Sequence, residues 1–573
     1  MPRMLRAGIL TLTLTLLVAA PARAAEFDVT AFELTPSSTA AGAHADVTIA
    51  TSFTPYDGAA PPPRPRNVVF HLPPGLAGDP FSTPRCSEAD YRADACPPET
   101  RIGGVEVEAT AIILLVPVAQ TATGDLYNLA PAGAEPARLG AVIRPTGGLL
   151  GKLFVPTTIQ ARSTDGGLDS IVTDLPTELN GIQLYTERMA FTLQGRPAGG
   201  TGPFMRNPTS CRPAVTTVEA TPYGDGPVKS RTSEFTPTDC GALAFQPHIA
   251  GSVGARGMTA RQAKPPVTTV ISQGAEQAGQ SSATVTLPPV VAPDLATLGR
   301  ACPPDAAAAR ACPGSSKVGA VTAGTPLLAA PLTGDVFLVS RGPGALPGLT
   351  IQLADPIPLR LDGTVALTPQ GLRTTFTGLP DVPLSSFRLD LAGGPSGAFQ
   401  LGADLCGAPP PAIAASFGAH SGAQFSETAP MTVVGCTPPP KVAAKIRRLR
   451  TRKPTLRLGV KAADGAPGLR EIRLLLPGAI DAKPKRARRG ARAQAGGKPL
   501  PRGAIRLTRD GELRIALPEG TRTLSAQLRK GTLRVSRALA RKRKPKRLAL
   551  RVLTRDDDGP RPPVTLRVRP RRR

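Results

Sequence analysis

The sequence predicts an all-β protein: two tandem disulfide-tied β-sandwich modules plus a smaller basic β-sandwich-like C-terminal domain. Three observations carry that prediction. Of 573 residues, 59 are Gly, 65 are Pro and 41% are hydrophobic. Proline at that density leaves no room for the long periodic helices of a bundle, because an interior Pro removes a helix hydrogen bond and clashes with the turn before it. The apolar fraction exceeds what a wholly disordered chain carries. Short strands broken by Gly and Pro turns remain. The second observation is a four-cysteine pattern that occurs twice. The third is a net charge of +27 that belongs almost wholly to one end.

Residues 1–24 read as a signal peptide. Arg3 and Arg6 supply a positive start, Ile9 to Ala20 is apolar, and Ala22-Arg23-Ala24 is a small-x-small cleavage site. The apolar stretch is too short to span a bilayer, which argues against the competing reading of a membrane anchor. Arg3 and Arg6 are not adjacent, against the twin-arginine route, and no Cys follows the stretch, against a lipoprotein. The mature chain is expected to be secreted, with no transmembrane segment.

Two modules are expected next, over 25–240 and 241–437. Their cysteines are Cys86, Cys96, Cys211 and Cys240, then Cys302, Cys312, Cys406 and Cys436. The spacings are 10, 115 and 29 residues in the first set and 10, 94 and 30 in the second. The simplest pairing is local, each cysteine with the next, though spacing leaves the connectivity open. Such bridges stabilise by roughly 3–4 kcal/mol in the loop-entropy account. A zinc site is the competing reading; it is disfavoured because CxxC spacing is absent and no His lies near these cysteines.

Other residues repeat in step. Leu72-Pro73-Pro74 matches Leu287-Pro288-Pro289, and Thr100-Arg101-Ile102-Gly103 matches Ser316-Lys317-Val318-Gly319. Thr123-Gly124-Asp125 matches Thr333-Gly334-Asp335. Independent motifs in one order over such a length mark two complete domains rather than a solenoid. Val105 to Ile113, Leu139 to Ile143, Ile182 to Leu193, Leu349 to Leu353 and Ser386 to Leu391 read as strands. Ser87 to Ala95 and Pro303 to Ala311 favour a single helical turn pinned by its bridge. Asp125 and Asp335 are expected in a turn before a strand, bonding the local backbone.

Taken together, Leu72-Pro-Pro-Gly75, the Cys-Pro pairs, Leu126-Tyr-Asn-Leu129, Asn207-Pro-Thr-Ser-Cys211, Thr325-Pro-Leu-Leu328 and the stretch Leu372 to Leu389 resemble large secreted cysteine-containing β-repeat proteins of soil actinobacteria. The likeness covers about residues 27–440. It implies export and a repeated β architecture, and it implies no activity.

From Lys441 to Arg573 there are 41 Lys and Arg against 9 Asp and Glu, a net of +32, so the rest of the chain is slightly acidic. Pro438-Pro439-Pro440 suggests a stiff linker over 438–454, followed by a basic β domain over 455–573 with a frayed tail. Leu456 to Leu458, Ile472 to Leu476, Leu513 to Leu517, Leu533 to Val535, Leu548 to Leu553 and Val564 to Val568 read as strands, and in several of them apolar and Arg positions alternate. Two runs are expected as mobile loops that hold a polyanion. They contribute Lys483, Lys485, Arg486, Arg488 and Arg489, then Arg541, Lys542, Arg543, Lys544, Lys546 and Arg547. Arg presents a fixed fork of donors matched to phosphate and carboxylate. For an exported chain the fitting partner is anionic cell-wall polymer or acidic polysaccharide. A solvated face with no specific partner is the plainer alternative. Specific nucleic-acid recognition is not expected, because no aromatics interleave the charges.

Chemistry is sparse. The four histidines are His44, His71, His248 and His420, and neither HExxH nor GxSxG occurs. Glu88 with Asp90, and Glu106 with Glu108, are the carboxylate pairs a glycosidase would need, but sugar sites usually want aromatic platforms and the chain has no Trp. Asp556-Asp557-Asp558-Gly559 misses the calcium-loop register and reads as a solvated turn. The expectation is a non-enzymatic secreted protein of the cell envelope or extracellular matrix, without cofactor or metal. An adhesin-like binding module and a secreted hydrolase with an unrecognised acidic site are the alternatives.

Overall fold

The computed structural model describes residues 26–573, apart from 59–60, 134, 147–149, 355, 437–438, 509, 542–546, 558, 562 and 570–573. The signal-peptide expectation lies outside these residues. The chain divides into two compact units. One runs up to Leu243 and includes Pro326–Ala329 and Pro380–Pro383; the other comprises Ala244–Thr325, Ala330–Leu379 and the chain from Leu384 onward.

The first unit is built from strands β1 (Val29–Pro36), β2 (Val47–Phe53), β3 (Pro65–His71), β4 (Ala77–Gly78), β5 (Arg101–Ile113), β6 (Val116–Leu129) and β7 (Ala137–Pro145). There follow β8 (Leu153–Ala161), β9 (Leu168–Val172), β10 (Glu178–Leu179), β11 (Ile182–Leu193), β12 (Met205–Arg206), β13 (Ala214–Pro222) and β14 (Lys229–Phe235). The order across the large sheet is β1-β2-β11-β5-β6-β7-β8-β9-β3-β13-β14. Alternation turns one face of it to a core: Val47, Ile49, Thr51 and Phe53 of β2 point inward, and their neighbours are only partly covered. Phe32, Phe70 and Phe191 pack there with ring centroids 6.0 and 6.4 Å apart. The two outermost strands meet. Ser233 of β14 accepts from the Leu34 amide at 3.0 Å, and Arg231 donates to the Val29 carbonyl at 2.6 Å. The result is a barrel-like sandwich whose edges cover one another, which guards against pairing with other chains.

The second unit begins with β15 (His248–Val253), β16 (Val267–Ser272), β17 (Gln280–Leu287), β18 (Val291–Pro293), β19 (Lys317–Gly324), β20 (Leu332–Val339) and β21 (Gly348–Leu353). It continues with β22 (Arg360–Thr368), β23 (Gly371–Thr377), β24 (Ser386–Leu391), β25 (Phe399–Leu401), β26 (Ala412–Ala419), β27 (Gln424–Pro430) and β28 (Thr432–Val433). Its large sheet has the order β15-β16-β24-β19-β20-β21-β22-β23-β17-β26-β27, with β28 beside β15. Strand for strand, that is the order of the first sheet. The small pairs β4·β12 and β18·β25 correspond as well. Closure repeats too: the Ile249 amide of β15 donates to Glu427 of β27 at 2.7 Å.

All eight cysteines are bonded, as Cys86–Cys96, Cys211–Cys240, Cys302–Cys312 and Cys406–Cys436. Both short bridges hold the expected helical turn, Glu88–Arg92 and Pro304–Ala308. Each turn is sewn to the sheet by the same backbone bonds. The Cys86 amide donates to Asn128 and the Ala130 amide to Cys86; the Cys302 amide donates to Leu338 and the Ser340 amide to Cys302. Tyr91 anchors the first turn: it is fully buried and its hydroxyl donates to the Ala141 carbonyl at 3.0 Å.

Three expectations are corrected. Asp125 and Asp335 do not sit in turns; they lie within β6 and β20. The glycine before each is demanded by a neighbouring strand. A Cβ at Gly124 would stand 2.1 Å from the Val142 carbonyl oxygen, and one at Gly334 would stand 2.3 Å from that of Gln352. The two aspartates instead pair with cations at matching positions, Asp125 with Arg101 at 2.7 Å and Asp335 with Lys317 at 2.6 Å. Second, 438–454 is not a linker throughout. Lys441–Arg447 is a strand paired over its whole length with Thr455–Lys461, because Val442, Ala444 and Ile446 alternate inward. Third, Lys483 to Arg492 is not a loop: Pro484–Gly490 is helical, with Pro at its first position where its missing amide costs nothing, and Arg492 lies in strand Ala491–Ala495.

From residue 441 on, the chain forms a five-stranded and a six-stranded sheet with one small pair. Leu456, Leu458, Val460, Ile472, Leu474, Ile515, Leu524 and Leu550 are among the buried residues of their shared core. The close approach at the two glycines is directly testable. Gly124→Ala or Gly334→Ala is expected to destabilise by about 1–3 kcal/mol or more, read by urea unfolding, whereas an Ala substitution at Gly314, where nothing lies within 4 Å and φ is not positive, is expected to cost less.

Candidate functional site

Of the eleven cations expected to hold a polyanion, Lys542, Arg543, Lys544 and Lys546 lie outside the described residues, as does the side chain of Arg488. Lys483, Lys485, Arg486, Arg489, Arg541 and Arg547 are all exposed. Lys485, Arg486 and Arg489 lie in helix Pro484–Gly490 and Arg541 ends helix Arg537–Arg541, while Lys483 immediately precedes the first of these helices and Arg547 immediately precedes strand Leu548–Asp556.

Elsewhere in this region, among the described residues, four arginines are already paired with carboxylates. Glu512 is shared by Arg514 at 2.8 Å and by Arg473, whose hydrogen bonds hold its carboxyl below the usual range. Arg470 reaches Glu519 at 3.2 Å and also Asp557. Asp556, which is buried, pairs with Arg561, whose side chain is largely covered. The solvated-turn expectation therefore fails at Asp556, which ends strand Leu548–Asp556 facing inward, while Asp557 is exposed and Asp558 lies outside the described residues. These pairs belong to the six-stranded sheet.

The first unit contains the denser polar networks. His71 of β3 lies 2.8 Å from Asp169 of β9 and 3.6 Å from Glu219 of β13. Arg162 bonds the same Asp169 at 2.6 Å, reaches Asp165, and donates to the Leu72 carbonyl at 2.6 Å. Burial alone would push the Asp165 carboxyl up, but its bonds to Arg162 and the Gly167 amide hold it below the usual range. The sequence offered no sign of this cluster, since its members are up to 148 residues apart, as His71 and Glu219 show. Its geometry is that of a staple between three strands: Nδ1 of His71 faces Asp169 and Nε2 faces Glu219. A second network joins Asp94 to Lys152 at 2.5 Å and to Arg144 at 2.7 Å, with Asp125 on the far side of Arg144. Here too burial opposes the Asp94 carboxylate and the two cations outweigh it.

The other candidates have contacts of their own. His44 lies 2.8 Å from the Met205 carbonyl, and His420 lies 2.8 Å from that of Leu379. His248 is exposed beside Glu427. Glu88 pairs with Arg92 one helical turn on, and Asp90 accepts from Ser87. Glu106 and Glu108 share an exposed face of β5, where Glu108 meets Arg188 at 3.2 Å. Among the described residues no cluster of three or more His, Cys, Asp or Glu is placed to hold a metal, and no helix is long and apolar enough to cross a membrane. A cavity of about 60 Å³ inside the first unit is lined by apolar residues such as Val107, Ile143, Leu153, Met189 and Phe191, with Gln120 and Thr186 the polar ones. It gathers no acid or base.

One feature of the first unit stands apart. The β5–β6 hairpin turns on Leu114 and Leu115, each 92% exposed and each at positive φ, 49° and 66°. Two positive φ values mark the hairpin turn that ordinarily selects Asn-Gly. Leucine there is strained and also leaves its whole side chain in water.

No protein-family model matches the chain, and no curated protein matches it in sequence. Solved structures similar to parts of it include a variant of the major pilin subunit of Bacillus cereus, at 9% identity and a TM-score of 0.17 over 73% of this chain and 93% of that one. Another is a membrane-anchored protein from Corynebacterium diphtheriae, at 9% identity and a TM-score of 0.15 over 82% of this chain and 94% of that one. Likenesses this weak carry no argument about this chain.

The hairpin is open to test. Replacing Leu114-Leu115 with Asn-Gly is expected to raise stability by about 1–3 kcal/mol by relieving αL strain; unchanged or lower stability in urea unfolding would show the turn unstrained.

Proposed function

We propose that the chain is a non-enzymatic secreted protein of the cell envelope or extracellular matrix, retained on anionic wall polymer or acidic polysaccharide by its polycationic C-terminal region. The carrying observation is the separation of charge: 41 Lys and Arg against 9 Asp and Glu from Lys441 onward, on a chain otherwise slightly acidic. Four disulfides support export, because such bridges persist in oxidising compartments. The leader-like residues 1–24 support the same reading. In this proposal the modules span 25–240 and 241–437, the basic domain begins near Lys441, and the chain is kin to the actinobacterial repeat proteins it resembles.

The exposed apolar tip Leu114-Leu115 favours a second reading, an adhesin-like module with a partner at that hairpin. Cell fractionation tests the first. The full chain is expected to stay with envelopes in low salt and wash off as salt rises, because screening weakens attraction between exposed charges. A chain lacking residues 441–573 is expected in the medium at every salt concentration. Full-length protein found free in the medium at low salt would contradict the proposal.

A further inference from the structure

The five-stranded sheet of the C-terminal region has the order Lys441–Arg447, Thr455–Lys461, Thr523–Leu528, Ala491–Ala495, Lys498–Pro499. Alternation sends Ile446, Leu456, Leu458, Val460, Leu524, Ala526, Leu528, Ala491 and Ala493 into the core. The opposite face carries Lys441, Lys445, Arg447, Arg457, Lys461 and Arg492, all exposed. Between them stand Ala443, Thr455, Gly459, Thr523, Ser525, Gln527 and Gln494. None of the five strands contains an Asp or Glu. Among the described residues none of the six cations has a carboxylate partner. The six-stranded sheet differs: Glu471, Glu512 and Asp556 are interspersed with its arginines.

Register sharpens the contrast. Lys441 is directly opposite Lys461, and Lys445 is directly opposite Arg457. Arg457 in turn faces Gln527, and Gln527 faces Arg492. Lys445, Arg457 and Arg492 thus lie on one line across four strands, spanning roughly 14 Å at the usual strand spacing. Like charges directly opposite destabilise a sheet. Two such pairs, with no carboxylate partner among the described residues, form a surface that gains when an outside anion is laid across it.

Resting on the reading of an exported, charge-retained chain, we infer that this face, rather than the basic runs 483–489 and 541–547, is the principal seat of polyanion binding, and that its ligand is a linear phosphate polymer. The face has no aromatic residue on which a sugar ring or base could stack. Recognition therefore falls to the charged groups themselves. Arg forks and Lys point charges both suit phosphate oxygens, and uncharged Thr, Ser and Gln between them add neutral donors without repelling an anion.

The test is salt-dependent binding of the purified full chain to three immobilised chains of equal charge: inorganic polyphosphate, polygalacturonate and oligothymidylate. The variant K445E/R457E/R492E changes only outward side chains. It is expected to weaken polyphosphate binding at least tenfold and to lower the salt slope by about 2, at about 0.7 for each phosphate that is no longer neutralised. The control K485E/R486E/R489E is expected to bind within about threefold of the parent. Both variants must retain the parent's circular dichroism spectrum. If the control loses as much as the sheet variant, or the sheet variant loses nothing, the assignment to this face is overturned. Tighter binding of polygalacturonate than of the two phosphate chains would overturn the ligand class. Because binding is read on purified protein, a chain that proves free in the medium would sink the envelope reading while leaving this result standing.

Discussion

Each large sheet must close on itself, and the hairpin that closes it is stapled. Cys211–Cys240 brackets β13 and β14; Cys406–Cys436 brackets β26 and β27. In both units that hairpin supplies the last strand of the sheet, the one that meets the first. Closure covers two edges that would otherwise present unpaired amides and carbonyls, and it seals the core lined by Val29, Val68 and Val218. The short bridges act at another point, fixing the helical turn that leads into β5 or β19. The paired cysteines therefore mark where a continuous sheet is held against its tendency to open.

This explains why so much of the fold was legible. Cysteine spacing, the Leu-Pro-Pro stops and the Cys-Pro turns are local signals, and the strands Ile182–Leu193 and Ser386–Leu391 were readable to their ends. What escaped depends on neighbours distant in sequence. Gly124 looks like a turn residue until β7 is laid against β6 and its carbonyl occupies the place of a Cβ. The prolines before Lys441 suggested a linker and hid an alternation, Val442, Ala444, Ile446, that was present in the sequence. His71 gave no hint of Asp169 or Glu219, because only strand order brings β3, β9 and β13 together.

The cationic surface shows the same division. The excess of Arg and Lys after residue 441 is plain from composition, and it drew attention to the densest runs. Density along the chain is a poor guide to density on a surface. Lys445, Arg457 and Arg492 are far apart in sequence and adjacent only through register. Conversely, arginines such as Arg473 and Arg514 look free in sequence and are spent on Glu512. Net charge thus becomes an address only after internal ion pairs have been subtracted.

The dependence of closure on the stapled hairpin can be measured by amide hydrogen exchange on the oxidised protein and on Cys211→Ser/Cys240→Ser. The account predicts that amides of β13, β14 and the facing edge β1 lose protection first, while β5 to β8 stay protected. Uniform loss across the first unit, or unchanged protection in β14, would contradict it.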